Sequence, residues 1–380
     1  MTRSKGGTAY IGGVGLTPFG RLEGLDTLDL MSWAANECLS NAGLIRAEVD
    51  GLVTGYSTTM PHLMLATLFA EHFGIEPSYC NGLALGGATG CAAIMLGKML
   101  VESGQCGNVL VVAGENRLSS KGGRNSAIQT LAQVGHADFE VPYGCTIPGY
   151  YGLLASEYAD RHGVREVDLA EVAVHMRGNA AGRSGAHLRT PVSIEDVMAS
   201  KPIATPLKLL DCCPISDGAA AVLLTSRPAQ IRITGAGQAH RHQHVSSIGS
   251  IDETGAALSA GRALAQAGRT VDDIDVLGIY DSFTITLTML LEEIGFSARG
   301  RTGIDLREGR YDVSRGGKPM NGHGGLLSYG HSGVAGGMAH FVEVVGSLRG
   351  DRNADAGKSG FVHADGGVLS SHVSIVLEAE

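Results

Sequence analysis

The sequence predicts a duplicated, layered α/β fold, and three observations carry that prediction. First, Leu39, Ala42, Gly43, Asp50 and Leu52 recur at one constant spacing as Leu264, Ala267, Gly268, Asp275 and Leu277. Second, each half opens with a β-like segment that ends in glycines, at residues 9–15 and 231–237. Third, each half closes on an apolar strand after a small or polar turn, at residues 218–225 and 370–377. Strand and helix alternating in two copies imply sheets covered by helices.

Each repeat unit reads as one supersecondary piece. An amphipathic helix ends at an Ala-Gly C-cap, and an Asp-bearing turn then leads into a buried strand. The division falls near Arg227-Pro228, so the halves are expected at 1–227 and 228–380. Residues 118–206 interrupt the first half. They carry Tyr143, Tyr150, Tyr151, a helix over 153–161 and a second over 168–181, then the punctuation Thr190-Pro191, Lys201-Pro202 and Thr205-Pro206. An insertion of this length normally covers or shapes a site.

Composition narrows the function classes. The 380 residues are 44% hydrophobic and 18% charged, a folded composition, and the 56 glycines show no triplet period. A net charge of -9 without basic runs argues against nucleic acid, which needs a basic surface. No apolar window approaches the roughly 18 residues of a membrane span. The start, Met1 to Lys5, is short and polar, with no visible leader. Seven cysteines without a CxxC pair are expected as free thiols, in keeping with a cytoplasmic location.

Four segments resemble one family. Gly86-Gly87-Ala88-Thr89-Gly90, with the helix over 91–103 and the strand over 108–113, resembles the thiolase nucleophile loop, helix and strand. Residues 213–221, which contain Asp217-Gly218-Ala219-Ala220, resemble the stretch that ends the first thiolase half. Asn321-Gly322-His323-Gly324-Gly325 with Gly330-His331 resembles the second-half signature, and Asp365-Gly366-Gly367 the terminal glycine loop. The stretch 151–213 and Tyr280-Asp281-Ser282-Phe283-Thr284 resemble the sterol-carrier-protein-type branch. The resemblance implies the thiolase fold, five layers α-β-α-β-α with an inserted loop domain. It also implies a homodimer, acyl-CoA thioester substrates and, in this branch, a small zinc-ribbon/OB-fold partner protein. Coenzyme A enters as part of the substrate; no separate cofactor and no metal are expected.

The chemistry turns on one substitution. A thiolase needs an acylated thiolate, an acid/base group and an oxyanion hole. The resemblance puts Gly87 where the nucleophilic cysteine belongs, and Gly87 cannot be acylated. Cys91, four residues on, reads as a buried apolar residue, and Cys80 precedes the glycine run. Cys212 and Cys213 read as structural.

His331 matches the family's Gly-His motif, although Ser332 stands where a proline usually follows. Tyr280 falls where degradative thiolases carry an Asn or His, and its phenol can donate to an enolate or take a proton. His363 and Asp365 are equal candidates for the second acid/base group. Gly87, Asn321, His323, Gly366 and Gly367 are expected to supply site loops and oxyanion contacts.

Two lesser signals are set aside. His240, His242 and His244 alternate as ligands on a strand do, but no acidic partner follows. Gly13-Val14-Gly15 lacks the third glycine of a dinucleotide loop. The expected activity is carbon–carbon bond chemistry next to a thioester carbonyl, of retro-aldol type. The alternatives are an acyltransferase using Cys80 or Cys91 and a non-catalytic acyl-CoA- or lipid-binding subunit.

Overall fold

The opening strand β1 (Tyr10–Leu16) packs unusually close to the helix that follows it, α1 (Thr27–Ala42). A Cβ built on Gly13 or Gly15 would lie 2.3 Å from the Cys38 carbonyl or 2.1 Å from that of Ala34. In the second half Gly235 and Gly237 stand 2.0 and 2.3 Å from the Ala263 and Ser259 carbonyls. Only glycine permits this strand–helix approach, and both halves make it at the same place.

The computed structural model describes residues 7–144, 146–351 and 357–380. After α1 the first half continues through β2 (Gly51–Gly55), α2 (Leu65–Phe73), β3 (Tyr79–Leu83), α3 (Thr89–Glu102) and β4 (Asn108–Asn116). The insertion holds α4 (Gly123–Ala132), α5 (Ile147–His162), α6 (Glu166–Ala180), α7 (Ile194–Ala199) and the ribbon β5 (Pro202–Ala204) with β6 (Leu207–Lys208). Strand β7 (Asp217–Thr225) closes that half. The second half runs β8 (Ile231–His240), α8 (Ala256–Ala267), β9 (Val276–Ile279), α9 (Thr284–Ile294), α10 (Thr302–Arg307), α11 (Gly325–Ser328), α12 (Val334–Leu348), β10 (Ser359–Gly366) and β11 (Ser371–Ala379).

The strand order is β3-β2-β4-β7-β1-β8-β11-β10-β9. Its two arms repeat one pattern: β2–β4 and β9–β10 are parallel, while β4–β7–β1 and β10–β11–β8 are antiparallel. The arms meet at Tyr10↔Arg232. Helices α3 and α12 lie between the arms, with α1 and α8 on the outer faces, which is the five-layer arrangement. Every residue of α12 is buried, as a central helix requires.

The repeated aspartates do the same work twice. Asp50 accepts the backbone N–H groups of Gly107 and Asn108, each at 2.8 Å, and Asp275 accepts those of Lys358 and Ser359 at 2.8 and 3.0 Å. Each carboxylate thus anchors the start of the neighbouring parallel strand. Gly43 and Gly268 both cap their helices in the left-handed region, at φ 65° and 66°.

On the outer side of β10 and β11 lies a buried histidine pair. His363 sits 2.8 Å from Ser374 Oγ through Nδ1 and 3.1 Å from His372 Nδ1 through Nε2, and His372 Nε2 donates to the Leu369 carbonyl at 2.9 Å. Burial pushes His372 down to about 4 and His363 well below its usual range; His175 is also held near 4 and His331 near 3. These rings are neutral when folded and titrate near 6.5 when unfolded. Their contribution to stability is therefore complete above pH 6.5 and is lost as pH falls toward the folded values. Burial also raises the carboxyls of Asp211, Asp281 and Asp365, which oppose this in part. We expect the urea midpoint to fall steadily from pH 7 to pH 5, and a flat profile would contradict the neutral assignment.

Candidate active site

The loop before α3 is built by Thr89, whose Oγ1 donates to the Gly86 carbonyl at 2.6 Å and accepts from Leu85 N–H at 2.7 Å. Gly86 takes φ +56° and Gly366 lies against it: Cβ atoms on these two residues would fall 2.7 Å from Gly367 N and 2.1 Å from the Leu85 carbonyl oxygen. The loop at the tip of α3 and the turn after β10 are thus pressed backbone to backbone.

Gly87 lies at the centre of this junction. A Cβ there would meet the Tyr280 hydroxyl at 2.2 Å and the Asp365 carbonyl oxygen at 2.4 Å. The space a side chain at residue 87 would take is occupied by the phenol of Tyr280. Tyr280 follows β9, is buried, and its hydroxyl lies 3.1 Å from His331 Nε2, within hydrogen-bond reach. The two rings are edge to face, 6.1 Å apart. His331 is held by a short parallel bridge to Ile215, its N–H bonding the Pro214 carbonyl at 3.1 Å.

Electrostatics distinguish the two partners. Burial, then the Arg117 guanidinium and the His340 ring, push His331 down to about 3, so its imidazole is neutral near pH 7. Burial raises Tyr280 well above its usual range, Asp365 and Cys213 add to this, and Arg117 opposes it. A neutral imidazole touching a protonated phenol can pass one proton in either direction. His331 Nδ1 is buried without a hydrogen-bond partner among the described residues, so Tyr280 is the one polar contact of the ring.

The other expected residues separate into groups. His363 is not brought to this pair; its ring faces Ser374 and His372 on the outer side of the sheet. The alternation of β10 explains why. Gly360 and Gly366 face the central helices, so Ala364 shares their side and His363 does not. The Asp365 carboxylate accepts from Tyr151 O–H at 2.9 Å, on the side where Tyr151 stacks on Phe283, while its Oδ1 has no partner among the described residues.

Asn321 uses both ends of its amide on the Ile279 backbone, at 2.8 and 2.7 Å, and so positions the strand that carries Tyr280. His323 packs edge-on against His340, which bonds Asp281 at 2.9 Å; it sits behind the pair. Neither thiol alternative reaches Gly87's place. Cys91 is fully buried, which pushes its thiol up to about 12, and Cys80 packs on the outer helix layer. The six described cysteines are free, and Cys145 lies outside the described residues.

Sequence reading missed a buried ion pair beside the site. Arg117 donates from Nε and Nη2 to Glu115 at 2.8 and 3.0 Å, and Thr58 donates to the same carboxylate from its N–H and hydroxyl at 3.0 and 2.6 Å. The available signal was a Glu near the end of an apolar strand and an Arg just past it, since charge buried there must be paired. Cys213, expected as structural, is a half-buried free thiol near the pair.

Residues 10–228 match the thiolase N-terminal domain and residues 237–379 the thiolase C-terminal domain-like family, so the chain belongs to the thiolase family. It is 32% identical over 370 residues to the 17-hydroxy-3-oxo-4-pregnene-20-carboxyl-CoA lyase of Mycobacterium tuberculosis, covering 90% of this chain and 92% of that one. It is 30% identical over 371 residues to the acetyl-CoA acetyltransferase of Methanothermobacter thermautotrophicus, covering 93% and 95%. Among solved structures, the Ltp2-ChsH2(DUF35) aldolase superposes with a TM-score of 0.84 at 29% identity, covering 99% of both chains. Among the described residues no helix is long and apolar enough to cross a membrane.

Proposed function

We propose that this protein cleaves the carbon–carbon bond next to a thioester carbonyl by a retro-aldol reaction on a β-hydroxyacyl-CoA, with coenzyme A entering as part of the substrate. One observation carries the reading: the Tyr280 hydroxyl, bonded to a neutral His331, fills the position that a side chain on residue 87 would need. A phenol–imidazole pair is acid/base equipment, and it stands in place of a nucleophile.

Tyr280 takes the β-hydroxyl proton while its own proton passes to His331 Nε2. The O–H electron pair becomes the carbonyl of the leaving aldehyde or ketone, and the Cα–Cβ pair becomes the thioester enolate. N–H groups of Gly87 and the Asp365-Gly366-Gly367 turn hold the enolate oxygen. The proton then returns to Cα, leaving a shortened thioester. The lyase and aldolase relatives support this reading; the acyl group is left open.

The acetyltransferase relative favours a covalent route instead, which would need Cys80 or Cys91. Intact-mass measurement after incubation with acetyl-CoA separates the two. We expect the unmodified mass, and a stable acyl adduct would sink the retro-aldol reading. A third reading is a non-catalytic acyl-CoA- or lipid-binding subunit, favoured if the protein stays inert on thioesters both alone and with a partner. We further propose a homodimer, because β3 is a half-exposed edge strand open to pairing. The Ltp2-ChsH2(DUF35) relative supports a small zinc-ribbon/OB-fold partner.

A further inference from the structure

We propose that His372, oriented by His363, is a positioning residue that fixes the turn between β10 and β11, whose backbone borders Gly87. The inference rests on the oxyanion role given to that turn above and names what holds it in place. A Cβ on Gly87 would lie 2.4 Å from the Asp365 carbonyl oxygen and 2.2 Å from the Tyr280 hydroxyl, so turn and phenol meet at one point. Next along, Gly366 presses on Leu85, where its own Cβ would lie 2.1 Å from the carbonyl oxygen. Ser370 closes the turn, its N–H and hydroxyl both reaching the Gly366 carbonyl, at 3.1 and 2.8 Å.

The far side of the turn is strained. Leu369 is fully buried at φ +52°, and Asn321 is the other described non-glycine residue with positive φ. Such a conformation persists only where its surroundings over-determine it. Two histidines do so here. His372 Nε2 donates to the Leu369 carbonyl at 2.9 Å, and His242 Nε2 donates to the Val368 carbonyl at 3.2 Å. An apolar side chain at residue 372 would fill the space but leave a buried carbonyl without a donor.

The hydrogens behind His372 have a definite order. A carbonyl can only accept, so His372 Nε2 carries the hydrogen and Nδ1 of the neutral ring accepts. His363 Nε2 lies 3.1 Å from that Nδ1 and must donate; its own Nδ1 then accepts from the Ser374 hydroxyl at 2.8 Å. At the end of the chain Ser259 Oγ is 2.9 Å from both Ser374 Oγ and the Gly237 carbonyl, and its one hydrogen serves only one of them. The shortfall falls there because a hydroxyl rotates freely, whereas a packed ring does not. Both rings are therefore Nε2–H tautomers. The nearby carboxylates are taken up by other groups. Asp365, in register with His372, accepts from Tyr151, and Glu293 of α9 accepts from Thr254 and Gly255. Neither bonds a ring, so no bonded counter-charge favours an imidazolium in this buried setting.

Two measurements test the assignment, and neither needs turnover. Nitrogen-15 NMR of histidine-labelled wild type should show both rings as neutral Nε2–H tautomers at pH 7, each identified by the signal lost in His372→Gln or His363→Asn. An Nδ1–H ring at His372 would leave the Leu369 carbonyl without a donor and overturn the proposal. The second readout is the infrared carbonyl stretch of bound acetyl-CoA, which reports the oxyanion contacts directly. Wild type should lower that stretch relative to free acetyl-CoA. His372→Phe should lose at least half of the lowering, because the turn is no longer held. His372→Gln, whose amide N–H can stand in for Nε2–H, should keep most of it. A purely structural role predicts lower melting temperatures in both variants with the bound stretch as in wild type, and that result overturns the proposal. If His372→Phe does not fold, the wild-type tautomers decide. Wild type that does not bind acetyl-CoA, or binds it with the stretch unmoved, removes the thioester or oxyanion reading and this one with it. Equal lowering in wild type and His372→Phe removes this proposal alone.

Discussion

Replacing Tyr280 by Phe should lower turnover of a β-hydroxyacyl-CoA by about 10²-fold or more and leave the fold intact. The ring is packed among Gly87, Gly337 and His340, and Phe keeps that volume. Only the hydroxyl is lost, together with its 3.1 Å contact to His331. Because the pair moves one proton as a unit, the losses should not add. His331→Ala should cost a similar factor, and the double variant little more than either single one. Steady-state kinetics with a melting curve for each variant checks this. Multiplicative losses would show that the two groups act in separate steps, and an unchanged rate for Tyr280→Phe would remove the acid/base assignment.

The second large effect is expected from adding a single methyl. Gly87→Ala places a Cβ 2.2 Å from the Tyr280 hydroxyl and 2.4 Å from the Asp365 carbonyl oxygen. A rotamer change could move the first contact, but the second is backbone and can yield only if the turn after β10 shifts. Overpacking of this kind typically destabilises by about 1–3 kcal/mol. The larger consequence is chemical, since displacing the phenol breaks its bond to His331 and moves the oxyanion turn. Activity should drop by about 10²-fold, with folding retained. Gly87→Cys should suffer the same displacement and gain no acyl adduct. Thiolase activity restored by that single change would contradict the geometry.

Much of the fold was legible because duplication doubles each signal. The glycines of β1 and β8, the helix-capping Gly43 and Gly268, and the strand-anchoring Asp50 and Asp275 each mark a backbone requirement that only one or two residue types satisfy. Residue identity alone revealed such requirements. The missing nucleophile was legible for the same reason, since a glycine in a motif position excludes chemistry outright. His363 was not legible. Strand phase decides which face a side chain takes, and the turn after β10 left that phase open by a residue; the fold turned His363 outward and Ala364 inward.

By itself, the sequence determined the architecture, the absence of sulfur at residue 87 and the pairing of Tyr280 with His331 as candidates, because these follow from local backbone needs and residue type. The tertiary structure alone decided that the Tyr280 hydroxyl fills the empty place, that Asn321 serves the backbone, and that Glu115 and Arg117 stand beside the centre. Those facts depend on distances between segments far apart in the chain. Such distances are set by how α3 and α12 pack between the two sheet arms, which no local pattern encodes.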